Sequence, residues 1–358
     1  MARIINLIAA LGLVLLATAC AEIPQQELGT YVEAYGQARS ATEQVLTDLI
    51  AAREEIKANQ AAAAAAKAPV RRGVYVPPTE RSGASGPDAI GSRLAALALV
   101  SQYNDILVAI AEGKRVAVLQ AKVQGAAQVA TELLSLAGAS FPGVGALTGL
   151  LQTIASEAQK YKDRKDFADA VRAGAPLVKD ILQFFIQDTP LIVAVHEGVW
   201  DAEGAPLRNQ ADRIARSIFA EVRQSAPPPA GSPEQKKLGA IESHLTEELS
   251  KIRPGAVTLQ PAGRTPLTMA TLEGMDADLG SLDMAVAAYL ENQRKSPALR
   301  ALMDKYVDTL AATQAALDNV AKALDRPVDI SKAAIELLDS AIAIKQQYAI
   351  YKAAVKSP

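Results

Sequence analysis

Two histidines, His196 and His244, are the chain's only imidazoles for acid–base chemistry or metal ligation. His196-Glu197 is followed at the fourth position by Trp200, not by a second histidine, so the zinc-protease pair on one helical turn is absent. Gly143-Val144-Gly145-Ala146-Leu147-Thr148-Gly149 has the glycine density of a phosphate cradle. A dinucleotide site, however, needs a strand before such glycines and an acidic residue after the next strand, and no strand precedes this run. There is neither a Gly-Lys-Ser/Thr phosphate loop nor a Gly-x-Ser-x-Gly nucleophile elbow. Carboxylates cluster at Glu54-Glu55, Glu247-Glu248 and Asp276/Asp278, where amphipathic helices would present them to solvent, and nothing selects two of them as acid and base. No catalytic residues, cofactor or metal ligands are expected, and the chain is read as non-enzymatic.

The only cysteine, Cys20, closes an uncharged apolar run that begins after Arg3 and ends Leu16-Ala17-Thr18-Ala19-Cys20. A hydrophobic core of this length before small residues has the pattern of an export signal. This segment resembles a bacterial lipoprotein signal peptide and its lipobox, with Ala17 where leucine is usual. The resemblance covers about the first 20 residues and implies cleavage before Cys20, which would then carry acyl chains (palmitate among them) on sulfur and amine. Several chains anchor firmly, because each buried methylene contributes about 0.8 kcal/mol. Ala21 after the cysteine implies sorting to the periplasmic face of the outer membrane, with the inner membrane as the other address. With no second cysteine, disulfides and thiolate metal sites are excluded.

With Lys plus Arg at 37 and Asp plus Glu at 39, the net charge of −2 lacks the basic excess of a nucleic-acid binder. Aromatics make up only 4%, while alanine, the strongest helix former, is abundant. The composition predicts an all-α fold: an elongated multi-helix bundle with coiled-coil-like antiparallel helices.

The elements that would position any site follow from spacing. Residues 1–19 are the signal peptide and 20–67 the lipid anchor and first long helix. There Leu28, Tyr35, Thr42, Leu49 and Ile56 recur every seven residues beside Tyr31, Ala38, Val45 and Ala52, a coiled-coil seam. Pro and Gly make 68–88 a loop. Residues 89–225 form a helical bundle: one long helix from about Asp88 to Ala137, a turn, then helices over about 144–172, 176–200 with a kink at Pro190, and 206–224. The Pro-rich segment 226–233 is read as a linker between two lobes. The C-terminal helical region, 234–358, holds helices over about 233–252 and 269–294 and a final antiparallel hairpin. The hairpin's first helix carries Leu299, Tyr306, Thr313 and Val320 beside Met303, Leu310, Leu317 and Leu324.

Leu133–Ser156 contains no charge and includes Gly145-x-x-x-Gly149, a spacing that lets helices approach closely inside membranes. Phe141, Val144, Leu147 and Leu150 are its candidate membrane or interaction residues. Gly138, Pro142 and Gly143 divide it into pieces too short to span a bilayer singly, which favours a turn buried in the bundle. The leading functional expectation is a membrane-anchored periplasmic lipoprotein, a non-catalytic structural, scaffold or adaptor component that recognises another envelope protein, or itself, through helix faces. The alternatives are a helical protein that inserts the 133–156 hairpin as a pore or assembly component, and an envelope hydrolase whose site residues are not identifiable.

Overall fold

Tyr31, Ala34, Tyr35, Ala38, Ala41, Thr42, Val45, Leu46 and Leu49 recur at three- and four-residue intervals and are all buried, which is what makes α1 (Gln25–Ala65) an amphipathic helix. The computed structural model describes residues 25–65, 89–112, 114–137, 143–157, 169, 172–255, 257–323 and 331–356. The expected signal segment with Cys20 and the expected loop over 68–88 lie outside these residues. Among them the fold is an all-α multi-helix bundle of eight helices without a strand. The others are α2 (Ala89–Ala111), α3 (Val116–Ala137), α4 (Val144–Glu157), α5 (Ala175–Gln224), α6 (Pro233–Ser250), α7 (Met269–Ala323) and α8 (Ser331–Lys356).

The chain divides into two compact units. The first takes α1 to α4, the part of α5 up to Ile192, and Ala301–Ala349 of the last two helices. Here α1 packs on α2, α2 on α3 and α3 on α4. Buried alanines, such as Ala34, Ala38 and Ala41 on α1 with Ala95, Ala96 and Ala109 on α2, suit close helix approach. The Tyr35 hydroxyl donates to the Leu97 carbonyl at 2.7 Å across that contact. From the C-terminal part come Leu302, Met303, Tyr306, Leu310, Thr313, Leu317 and Val320 on α7 and Leu337, Ala341 and Ile344 on α8, all buried.

The second unit covers Val193–Arg300 and the end of α8 from Ile350. One cluster organises it: Ala211, Ala215, Ile218 and Val222 on α5, Leu238, Ile241, Leu245 and Leu249 on α6, and Leu272, Met275, Leu279, Leu282 and Val286 on α7. Each row follows the three–four spacing of a helix with one buried face. Helix α6 begins where Ser232 accepts from the Gln235 N–H and Pro233 occupies the first turn, where its missing N–H costs nothing.

Four boundaries differ from the sequence expectation. The helix expected over 88–137 is two, because Glu112, Lys114 and Arg115 interrupt the apolar stripe and are exposed. The Glu112 N–H closes on Val108 and the Lys114 N–H on Ala109, while the Arg115 carbonyl accepts from Val118 and Leu119 to start α3. The helices expected over 176–200 and 206–224 are instead the single helix α5, with Pro190 and Pro206 inside it. Similarly, α7 runs unbroken through Pro297. A proline inside a helix costs about 3 kcal/mol, and burial of the rows on both sides of each proline offsets it. Around Pro297 there is a further clamp, since Glu197 accepts from Ser296 and from both Arg300 nitrogens.

Finally, segment 226–233 is not the boundary between units, which falls within α5 and α7. It is the connection from α5 to α6 inside the second unit. Its start is pinned in a parallel bridge, Ser225 with Thr265. The Ala226 N–H donates to Thr265 at 2.7 Å and the Gly263 N–H to Ser225 at 2.9 Å. Position 263 must be glycine, because a Cβ there would lie 1.7 Å from the Gln224 carbonyl oxygen.

Candidate functional site

The charge-free segment takes in the last turn of α3 and α4 as far as Ser156, and these two helices pack through rows that face inward. On α3 these are Leu119, Val123, Ala126, Ala130 and Leu133, and on α4 Val144, Leu147, Leu151 and Ile154, each at most 1% exposed. Gly143 enters α4 with φ of 77°, and a Cβ there would meet the Leu177 carbonyl oxygen at 3.2 Å, so glycine satisfies both the turn and the close approach of α5. The described hydroxyls of the segment bond within their own helix, with Thr148 donating to the Val144 carbonyl and Thr153 to that of Gly149. Gln120 donates to the Ala155 carbonyl and ties α3 to α4.

Among the predicted hairpin residues, Val144 and Leu147 are therefore fully covered within the first unit and Leu150 is half-buried. Phe141 lies outside the described residues. Gly145 and Gly149 point the other way, with no atom within 4 Å of where a Cβ would stand. Among the described residues one helix, Ile90–Ile110, is long and apolar enough to cross a membrane, and 67% of it is buried.

That helix carries a charge that the sequence does not single out. Arg93 is 1% exposed, and its guanidinium donates to Asp188 of α5 at 2.5 Å. It also lies 5.0 Å from the centre of the Phe185 ring, a cation–π distance. The Tyr306 hydroxyl completes the group from α7, and burial pushes its pKa up to about 12, against the opposing pull of Arg93. A guanidinium held by a carboxylate and an aromatic face is a fixed buried charge, suited to locking three helices rather than moving protons. The available signal was one cation and one anion, each alone within an apolar stretch.

Three of the carboxylates flagged in the sequence, Glu247, Glu248 and Asp276, are engaged by lysines. Asp276 accepts from Lys237 at 2.8 Å, and Glu248 from Lys251. Glu54 and Glu55 belong to the part of α1 whose side chains lie outside the description. A cavity of about 390 Å³ is lined by Arg172, Lys179, Asp180, Asp318 and Lys322, among others; Asp318 pairs with Lys179 and Lys322, and Arg172 with Asp169. Hydrogen bonds from Lys322 and Lys179 hold the Asp318 carboxyl below its usual range.

The two histidines differ. His196 is buried beside Trp200, with ring centres 6.2 Å apart. His244 is exposed, and its Nε2 stands 2.8 Å from Asp283 Oδ1 of α7. Glu248, one turn along α6, completes a trio whose ligand atoms all lie within 4.8 Å of one another. No metal ligands are expected from the sequence. The His244-x-x-x-Glu248 spacing was legible, but Asp283 joins only through the packing of α6 on α7. No family model matches the chain, and neither do curated proteins or solved structures.

Proposed function

We propose that the protein is a lipid-anchored envelope component that works as a non-catalytic scaffold or adaptor, held at the periplasmic face of the outer membrane by acylated Cys20 and recognising a partner protein through an exposed helix face. The supporting observation for recognition is on α8. Ile335 and Ile342, seven residues apart, are 55% and 44% exposed on the side opposite the buried Leu337, Ala341 and Ile344. Lys332, Glu336, Asp339 and Lys345 border them and are exposed. A ridge of isoleucine set among charges has the composition of a helix-in-groove contact, in which apolar anchors supply affinity and flanking charges supply register. Support for the anchor is the Leu16-Ala17-Thr18-Ala19-Cys20 lipobox.

This reading is favoured over membrane insertion because Val144 and Leu147 already have protein around them. Inserting the hairpin would uncover the α3–α4 core before any lipid contact repaid it. It is favoured over hydrolysis because the flagged pairs Glu247-Glu248 and Asp276 are engaged by lysines.

The anchor is tested by fractionating cells that express the full chain. Cys20→Ala should move the protein from the membrane pellet to the soluble fraction and abolish incorporation of a labelled fatty acid. Retention of the variant in the pellet would contradict acylation as the anchor.

A further inference from the structure

We propose that His244, Glu248 and Asp283 form a binding site for a divalent transition ion, best suited to Zn²⁺, that ties α6 to α7. His244 and Glu248 are four residues apart and therefore project from one face of α6, and Asp283 meets them from the facing helix. Their donors are one imidazole nitrogen and two carboxylate oxygens, the set Zn²⁺ accepts when three protein groups hold it and water fills the remaining position. Tetrahedral Zn²⁺ with bonds near 2.0–2.2 Å places its ligands about 3.3 Å apart. His244 Nε2 and Asp283 Oδ1 are 2.8 Å apart. All three donors fall within 4.8 Å.

The chain already places a cation at this position. The Lys251 ammonium donates to Glu248 and lies 3.8 Å from Glu247. Lys251 is 39% exposed at its side chain and sits on a flexible stem, so it can swing into solvent and yield Glu248 to a metal. The His244–Asp283 hydrogen bond would be replaced by two coordination bonds to the ion. Such an ion couples metal supply to the rigidity of the three-helix cluster built from α5, α6 and α7. This is independent of the lipid anchor and of the α8 face.

The test is calorimetric titration of Zn²⁺ into the full chain in detergent, with Co²⁺ absorption as a second measurement. One ion per chain is expected. His244→Ala and Asp283→Asn should each weaken binding by at least roughly tenfold, with helix content unchanged, since both side chains are 42% exposed. Lys251→Ala should tighten binding, because the competing ammonium is gone. Absence of binding, unchanged affinity in His244→Ala or Asp283→Asn, or no tightening in Lys251→Ala would overturn the proposal. So would a thiolate charge-transfer band with Co²⁺, which would place the ion on Cys20.

Discussion

Asp188→Ala is expected to lower the stability of the first unit by about 3–5 kcal/mol, the cost of leaving a buried charge without its partner. An arginine guanidinium is not deprotonated in proteins, so the charge left behind cannot be shed. With 1% of its surface exposed it cannot reach water without opening the packing of α2. The remaining Phe185 contact is worth only about 0.5–2 kcal/mol and does not replace a carboxylate. By contrast, Arg93→Met combined with Asp188→Leu removes both charges together and should come close to the parent protein or exceed it. Hydrogen exchange of the α2 amides reads this locally, without requiring the whole chain to unfold in one step. A loss below about 1 kcal/mol in Asp188→Ala would mean that the pair is solvated.

The second large effect is alkaline unfolding of the same unit. Tyr31, Tyr35, Tyr103 and Tyr306 are all buried there, and desolvation raises the pKa of each. The folded state thus retains phenolic protons that the unfolded chain releases near pH 10. Stability from these groups is fully present below pH 10 and is lost as pH climbs toward the folded values, about 12 for Tyr306. Each contributes a slope of about 1.4 kcal/mol per pH unit in that window, so four acting together remove about 5 kcal/mol per unit. That consumes a typical domain's stability of about 5–15 kcal/mol within one to three units. Helix loss and the late part of phenolate absorbance should therefore rise in one cooperative step above pH 10. Phenolate formation completed while the helices of the first unit persist would contradict the burial of these tyrosines.

The seams were the most legible part of the fold. Tyr35, Thr42 and Leu49 on α1 and Leu299, Tyr306, Thr313 and Val320 on α7 show their seven-residue spacing in the sequence, and all are buried. Periodicity reports which face a helix hides, and it does so without knowledge of the neighbour. The prolines misled for the opposite reason. Pro206 and Pro297 carry a local penalty visible in sequence, whereas the buried rows that outweigh it act through tertiary contacts. The break at 112–115 was readable as a charged interruption of the stripe, but alanine-rich flanks of high helix propensity argued for continuity.

The candidate sites divide along the same line. Val144 and Leu147 could be placed on an apolar hairpin from composition, but their burial depends on tertiary packing such as that of α3 on α4. Arg93 and Asp188 are 95 residues apart, and His244 and Asp283 are 39 apart, so neither pairing leaves a spacing signal. Only the i, i+4 relation of His244 and Glu248 lies within one helix and was open to inspection.

In the proposed function, α8 of the lipid-anchored chain meets a partner protein in the envelope. The most direct measurement is photocrosslinking in intact native-host cells from a reactive residue at position 342 of the full chain, with Cys20 in place. A discrete adduct with one other envelope protein is expected, lost when Ile335→Glu is introduced into a chain that still folds. Adducts confined to lipid or to copies of the chain itself, or none at all, would contradict it.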